Sequence, residues 1–321
     1  MDNSWYILGA GALGSLYAAF LASAGADVTI VERSTNRQGK PNGGRLAPER
    51  KFSVASSVDA INRAFSINTS QADNHSEIKH LLVATKSYDA VAAVSSVRHR
   101  LTRTSDVVLM SNGSGYQHQI AKAVSEPRYF YCLSTEGANW RSANALIHAG
   151  SGKSRLGGVD HTHPAEWFPF WERAIPGASW EDDIESALWM KLVINAAINP
   201  ISALGGVQNG ELTSDPALST KVANLCAELS ALTGASAYPQ LAGDLESEVR
   251  KVIAGTASNR SSMLQDIEAG RPTEIDFING YVSAEARRLE IPTPLNDALV
   301  GAIVELESTT NGKREIEANP K

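Results

Sequence analysis

Three glycines, at positions 9, 11 and 14, spell G-A-G-A-L-G between an apolar run, "WYILGA" at 5–10, and a helix-forming stretch at 14–24. A strand that turns straight into a helix through such a loop has few architectures open to it. Gly9 permits the tight turn, Gly11 leaves the backbone open to a pyrophosphate, and Gly14 allows helix and strand to pack closely. Free N–H groups and the dipole at the helix start favour a phosphate charge there. A second apolar run, "DVTIVE" at 27–32, ends at the charged pair Glu32 and Arg33, with Glu32 placed 23 residues after Gly9. An acid at that place binds a ribose 2'-hydroxyl and favours NAD, whereas Arg33 is placed to pair with the 2'-phosphate of NADP. Spacing leaves both open, together with plain solvation of the pair.

Further strand candidates are "HLLVAT" at 80–85, "DVVLMSN" at 106–112 and "YFYCLS" at 129–134, with helical stretches such as 88–101 between them. Continuous apolar runs suit a sheet covered on both faces, and the alternation with helices predicts a doubly wound, mainly parallel sheet of Rossmann type. The stretch from 34 to 51 is polar and rich in Gly and Pro, including the Gly-rich piece at 39–44, and reads as a surface excursion before strands near 52–58 and 64–69. Residues 144–182 read as a closing piece, with "ALIHAG" and "KSRLGG" as hairpin-like strands and "PAEWFPFWERA" as a helix. From 183 every segment carries helical periodicity and strand signals vanish. The expected division is therefore an α/β domain over 1–182, an all-α domain over 183–310 and a polar, frayed tail over 311–321.

At 321 residues and 34.2 kDa the chain has room for two such cores. A formal net charge of -6 and the lack of any Lys/Arg block argue against a nucleic-acid partner. No uninterrupted apolar run of about 18 residues occurs, so no membrane span is expected. The N-terminal stretch "MDNSWYILGAGALG" shows no basic leader, and Cys132 and Cys226 stand far apart without metal-ligand spacing. A cytoplasmic protein, monomer or homodimer, is the expectation.

One helix raises a separate question. In "WMKLVINAAINP" (189–200), Lys191, Asn195 and Asn199 fall at intervals of four along an otherwise apolar helix. Either Lys191 snorkels to solvent or the stripe lines a polar pocket. Two other constellations fail on spacing: His161 and His163 have no companion ligands for a metal, and Ser114 lacks the flanking glycines of a nucleophile elbow.

Taken together, GAGALG (9–14), Lys86, N-G-S-G (112–115), W-x-K-L-x-x-N-x-x-x-N-P (189–200), N-G-E-L (209–212), S-S-M-L-Q-D (261–266) and T-E-I-D-x-I-N-G (273–280) make the chain resemble the ketopantoate reductase (2-dehydropantoate 2-reductase) family over nearly its whole length. The resemblance implies an NADP(H)-dependent reductase of a small 2-oxo acid, serving pantothenate and coenzyme A synthesis, with its active site in a cleft between the domains. It implies that Asn112, Asn195, Asn199, Asn209 and Ser262 hold the substrate, with Ser262 toward its carboxylate. For the cofactor it implies Gly9, Ala10, Gly11, Ala12, Leu13 and Gly14, with Arg33, Lys86 on the nicotinamide side, Asn112, a backbone contact at Ala138, and Glu274. A reductase of another branched 2-oxo acid and a non-catalytic NADP-binding sensor are the rival expectations.

The residues themselves supply a matching chemistry. Reduction of a 2-oxo acid needs a hydride at one face of the carbonyl and a proton for its oxygen as negative charge develops. Lys191 offers a cationic N–H for that oxygen, and a nearby carboxylate keeps the ammonium form available against desolvation. Glu274 is the expected carboxylate: "RPTEID" reads as a helix start with Thr273 as N-cap, which places Glu274 in the first turn.

Overall fold

The computed structural model describes residues 3–32, 47–56, 63–159 and 163–318, with side chains described as far as position 310. It divides into two compact units, Met1–Ser111 with Tyr116–Glu185, and Asn112–Gly115 with Ser186–Lys321.

In the first unit the alternation of apolar runs and helices produces β1 (Ser4–Leu8), α1 (Ala12–Ser23), β2 (Asp27–Glu32), β3 (Glu49–Ser56), β4 (Arg63–Gln71), β5 (His80–Val83), α2 (Ser87–Ser96), β6 (Asp106–Leu109), α3 (Tyr116–Ala123) and β7 (Arg128–Ser134). There follow β8 (Gly137–Ser142), β9 (Ala145–Gly150), β10 (Ser154–Gly158), α4 (Phe168–Ala174) and β11 (Ala178–Trp180). The strands form one sheet in the order β11-β10-β7-β6-β5-β1-β2-β4-β3-β9-β8. From β7 through β4 every neighbouring pair is parallel. Burial on both faces explains why β5 and β6 are apolar at nearly every position: all four residues of each are buried. β1 has β5 on one side and β2 on the other, so the chain reverses its strand order at β1, the place where open α/β sheets bind ligands.

Trp5, Trp167 and Trp171 meet beneath the sheet at centroid distances of 5.1 to 6.0 Å. The indole of Trp167 donates to Asp106 Oδ2 at 2.7 Å, and Arg128 clamps the same carboxylate through two nitrogens, so this buried acid is fully partnered.

The second unit is built from α5 (Ile184–Gly205), α6 (Glu211–Ser214), α7 (Pro216–Ala235), α8 (Leu245–Gly255), α9 (Ser262–Glu268), α10 (Asn279–Arg288) and α11 (Pro294–Ala318). Leu192, Val193, Ala196, Ala197 and Ile201 of α5 pack into one core with Leu225 and Leu229 of α7, Val249 and Ile253 of α8, Val282 of α10, and Leu299 and Ile303 of α11. By length and composition α5 could cross a bilayer, yet 61% of its apolar window is buried inside the protein, so its apolar character is that of a core helix. Asp215 caps α7 by accepting from the N–H groups of Ala217 and Leu218, with Pro216 at the first helical position. Glu228 of α7 accepts from the N–H groups of Leu295 and Asn296, and so fastens α7 to the start of α11.

Four expectations change. The segments at 145–150 and 154–158 are strands but not a hairpin: β9 pairs with β8 and β3, whereas β10 pairs with β7 and β11. The hairpin is β8–β9, and β8 was hidden because its burial alternates poorly around exposed polar residues. "RPTEID" opens a single 3₁₀ turn, Ile275–Phe277, and not an α-helix; Thr273 Oγ1 still accepts the Ile275 N–H at 3.2 Å. Helix α11 runs to Ala318, through most of the segment expected to fray. Finally, Asn112–Gly115 belongs with the helical unit and not with the 1–182 domain, because its backbone is bonded to the Phe277 turn.

Candidate active site

The glycine loop follows β1 at the reversal point of the sheet. Gly9 has φ +102°, a left-handed value that side chains disfavour, and a Cβ there would lie 2.6 Å from the backbone of Ala84 and Thr85 beyond β5. At Gly14 a Cβ would fall 1.9 Å from the Gly9 carbonyl oxygen, so helix and loop touch backbone to backbone. Around Gly11 nothing lies within 4 Å of a built Cβ. The three glycines thus divide turn, open approach and close packing as the motif requires. Gly11 caps α1 without a side-chain hydrogen bond and no acid stands in the first turn, so the amides of Ala12, Leu13 and Gly14 are presented to an anion. Ala10 completes the loop, and its carbonyl accepts from Ser15 Oγ at 3.4 Å.

Lys86 is the N-cap residue of α2, directly after β5 and the Ala84–Thr85 backbone that Gly9 touches. Thr85 Oγ1 is buried without a partner. Ala138 lies on β8, which packs against α1. Glu32 ends β2, half-buried, and Arg33 lies outside the described residues. A dinucleotide fits the donor set described here: open amides at a helix N-terminus, a glycine where a pyrophosphate must pass, and a cation after the neighbouring strand.

In the helical unit three expected residues are joined. The Lys191 ammonium donates to Asn112 Oδ1 at 3.1 Å, and Asn112 Nδ2 donates to Glu274 Oε2 at 3.3 Å. An ammonium can only donate and a carboxylate only accept, so the amide's orientation is forced. Glu274 is 4% exposed and precedes the Ile275–Phe277 turn; Lys191, on α5, remains half-buried. Snorkelling to open solvent is therefore not what this lysine does: its head is held in a half-buried polar chain that ends on a buried carboxylate.

Asn112 is held by a device that the sequence signalled only as an Asn-Gly pair. The Ser114 N–H donates to the Phe277 carbonyl at 2.8 Å, and Gly113, at φ +83°, leaves only 2.4 Å between a built Cβ and that oxygen. Gly115, at φ +90°, faces the ring of Tyr281 in the same way. The backbone of Phe277, which sequence reasoning missed, thereby pins the loop beside Glu274.

Asn195 is half-buried and Asn199 buried, one and two turns beyond Lys191 on α5. Asn209 lies before α6; its Nδ2 donates to Thr256 Oγ1 at 2.9 Å, while its Oδ1 is buried without a partner. Leaving such an acceptor unsatisfied costs about 1–3 kcal/mol, which makes it a place prepared for a donor. Ser262 is exposed in the first turn of α9, whose buried N-cap is its neighbour Ser261, accepting from Leu264 N and from Ser202 Oγ.

Comparison with known proteins places the chain in a family. The family described as "Ketopantoate reductase PanE/ApbA" matches residues 5–161, and "Ketopantoate reductase PanE/ApbA C terminal" matches residues 183–307. A 2-dehydropantoate 2-reductase of Vibrio cholerae is 32% identical over 308 residues, covering 94% of this chain and 97% of its own. One of Archaeoglobus fulgidus is 33% identical over 313 residues, covering 94% and 97%. The crystal structure of 2-dehydropantoate 2-reductase from Methylococcus capsulatus superposes with a TM-score of 0.77 at 25% identity, covering 96% of this chain and 97% of that one. With the family's models matching both halves of the chain in order and relatives above 30% identity covering nearly all of it, this protein belongs to the ketopantoate reductase family.

Proposed function

We propose that this protein reduces ketopantoate to pantoate with NADPH, and that the chain Lys191, Asn112, Glu274 carries the proton-transfer half of the reaction. The observation that supports it most is the pair of hydrogen bonds through Asn112, which ties the one cation of the α5 stripe to a buried carboxylate. A bound nicotinamide supplies the hydride for the C2 carbonyl carbon. Lys191 directs an N–H to the carbonyl oxygen, stabilises the charge that grows there and gives up the proton that completes the alcohol. Glu274, acting through Asn112, keeps the ammonium form available for the next turnover.

The pyrophosphate would be held by the amides of the 9–14 loop, with Lys86 and Ala138 toward the nicotinamide and Arg33 toward the 2'-phosphate. Asn195, Asn199 and Ser262 would hold the polar groups of the oxo acid. Asn209, whose Nδ2 is held by Thr256 Oγ1 and whose Oδ1 has no donor, would accept from a substrate hydroxyl. Two buried free cysteines suit a reducing cytoplasm.

The test is NADPH oxidation followed spectrophotometrically with ketopantoate and with a panel of other branched 2-oxo acids. Ketopantoate should give the highest kcat/KM, and Lys191→Ala should lower it by about 10²–10⁴-fold. An undiminished rate in that variant, or a better substrate in the panel, would sink the assignment.

A further inference from the structure

Pro200 stands inside α5. A proline there has no N–H to give, and its ring presses on the carbonyl four residues earlier, turning that group outward from the helix. The carbonyl concerned is that of Ala196, and it accepts from Asn279 Nδ2 at 3.0 Å. Asn279 is fully buried at the start of α10, and the second hydrogen of the same nitrogen goes to Asn296 Oδ1 at 2.9 Å. Asn296 returns a bond from its own Nδ2 to the Asn279 carbonyl at 3.0 Å and gives another to Ser283 Oγ at 2.8 Å. Both amide hydrogens of Asn279 are thus committed, whereas its Oδ1 is buried without a partner. The residue is there for its donors.

We infer that Asn279 is a positioning residue for the substrate-holding face of α5: its amide replaces the backbone donor that Pro200 removes and fixes the turn between Asn195 and Asn199. This rests on the functional reading given above. Ala196 follows Asn195 directly and Pro200 follows Asn199 directly, so the repaired turn is the one that sets the two amides relative to each other and to Lys191. Without the donor, a buried carbonyl is left unpaired and the turn relaxes toward whatever donor it can find. Asn279 touches no reacting atom in this scheme; it acts through α5.

The competing account is that Asn279 merely glues α10 to α11 through Asn296. The two accounts differ in what Pro200 means. In Pro200→Ala the N–H at position 200 returns and can serve the Ala196 carbonyl itself, making the Asn279 amide redundant for the turn but not for the Asn296 contact.

The experiment compares the wild type, Asn279→Ala, Pro200→Ala and the double variant as full-length proteins, by steady-state kinetics with ketopantoate and NADPH and by thermal denaturation. Asn279→Ala is expected to lower kcat/KM for ketopantoate by about tenfold or more while KM for NADPH stays within about twofold, since a small misplacement of orienting groups is costly at the reacting end alone. Adding Pro200→Ala to that background should restore most of the lost activity and raise Tm. A double variant no better than Asn279→Ala, or equal loss toward both substrates, overturns the inference. Should Asn279→Ala fail to fold, recovery of folded protein in the double variant supports it and continued failure overturns it. A wild type inert toward ketopantoate overturns the functional reading and the positioning role with it, whereas an active wild type with additive variants overturns the positioning role alone.

Discussion

Lys191 Nζ lies 3.1 Å from Asn112 Oδ1, a bond made between residues 79 positions apart in the chain. Its meaning comes from the other end of the amide, where Nδ2 meets Glu274 Oε2 at 3.3 Å. The amide accepts from the ammonium through its oxygen and donates to the carboxylate through its nitrogen, and a carboxylate in its place has no N–H to give. Asn112→Asp therefore sets a second carboxylate oxygen against Glu274. Two such groups share a proton whose pKa is raised above the ordinary carboxylate value of about 4. With that proton bound, the O–H replaces the amide N–H; with it lost, the pair repels. Activity of Asn112→Asp should accordingly be retained at low pH and fall as pH rises through the raised value, while Asn112→Ala is impaired with no such transition. Profiles of kcat/KM against pH that coincide for the two variants would defeat the bridging role.

Gly113 sets where that amide stands. Its φ of +83° and the 2.4 Å approach of a built Cβ to the Phe277 oxygen leave no room for a side chain. In Gly113→Ala either the loop withdraws from Phe277 or the backbone strains, at a cost of about 1–3 kcal/mol. Because the Ser114 N–H bond to Phe277 is broken in the first case, Asn112 moves with the loop. The expected outcome is a drop in kcat of about tenfold or more with a smaller change in Tm, since misplacement costs rate before it costs fold. A variant that loses stability but keeps kcat would show that the loop does not position Asn112.

The strands of the parallel sheet and the helices of the second unit were legible because burial on both faces writes continuous apolar runs, and core-facing helices write a 3.6-residue period. Lys191 was legible as an anomaly in such a period. Asn112 was legible through its place at the end of a parallel strand and through resemblance, because an Asn-Gly pair after a strand is otherwise what any turn looks like, and the Phe277 carbonyl that pins it carries no side-chain signal at all. β8 escaped for the opposite reason: it is an edge strand of the sheet with half-buried and exposed residues, and only its pairing to β9 defines it. Asn279 falls within the T-E-I-D-x-I-N-G motif, yet its role follows from Pro200, 79 residues away, and becomes visible only when the acceptor at Ala196 is identified.

The glycine loop offers two substitutions with opposite signatures. At Gly14 a methyl group would meet the Gly9 carbonyl oxygen at 1.9 Å, and a backbone atom in a strained turn has little freedom to yield. Gly14→Ala should lose about 1–3 kcal/mol of stability through overpacking, read as a lower Tm. At Gly11 the same methyl meets nothing within 4 Å, so Gly11→Ala should keep a Tm near that of the wild type. It would nevertheless stand where a pyrophosphate has to approach the backbone, and calorimetric titration with NADPH should show affinity reduced by about tenfold or more. If Gly11→Ala binds NADPH as the wild type does, the loop is structural and not a phosphate cradle.

We predict that coenzyme choice turns on the end of β2, where half-buried Glu32 is followed in sequence by Arg33. A carboxylate at Glu32 suits the two ribose hydroxyls of NADH, and a guanidinium at Arg33 suits the additional phosphate of NADPH. The two residues pull in opposite directions, so the measurement has to compare coenzymes within one variant. A charge-assisted, forked contact is worth about 1.5–3 kcal/mol, which corresponds to about 10- to 150-fold in affinity. Arg33→Ala should therefore raise KM for NADPH by about that factor and leave KM for NADH nearly unchanged, because NADH has no phosphate to lose. Glu32→Gln should act in the other sense, weakening NADH while sparing or improving NADPH, since it removes a negative charge from beside the phosphate. Equal changes toward both coenzymes in Arg33→Ala would mean that the arginine is a solvated residue at a strand end, and the proposed use of NADPH would then need another cation to carry it.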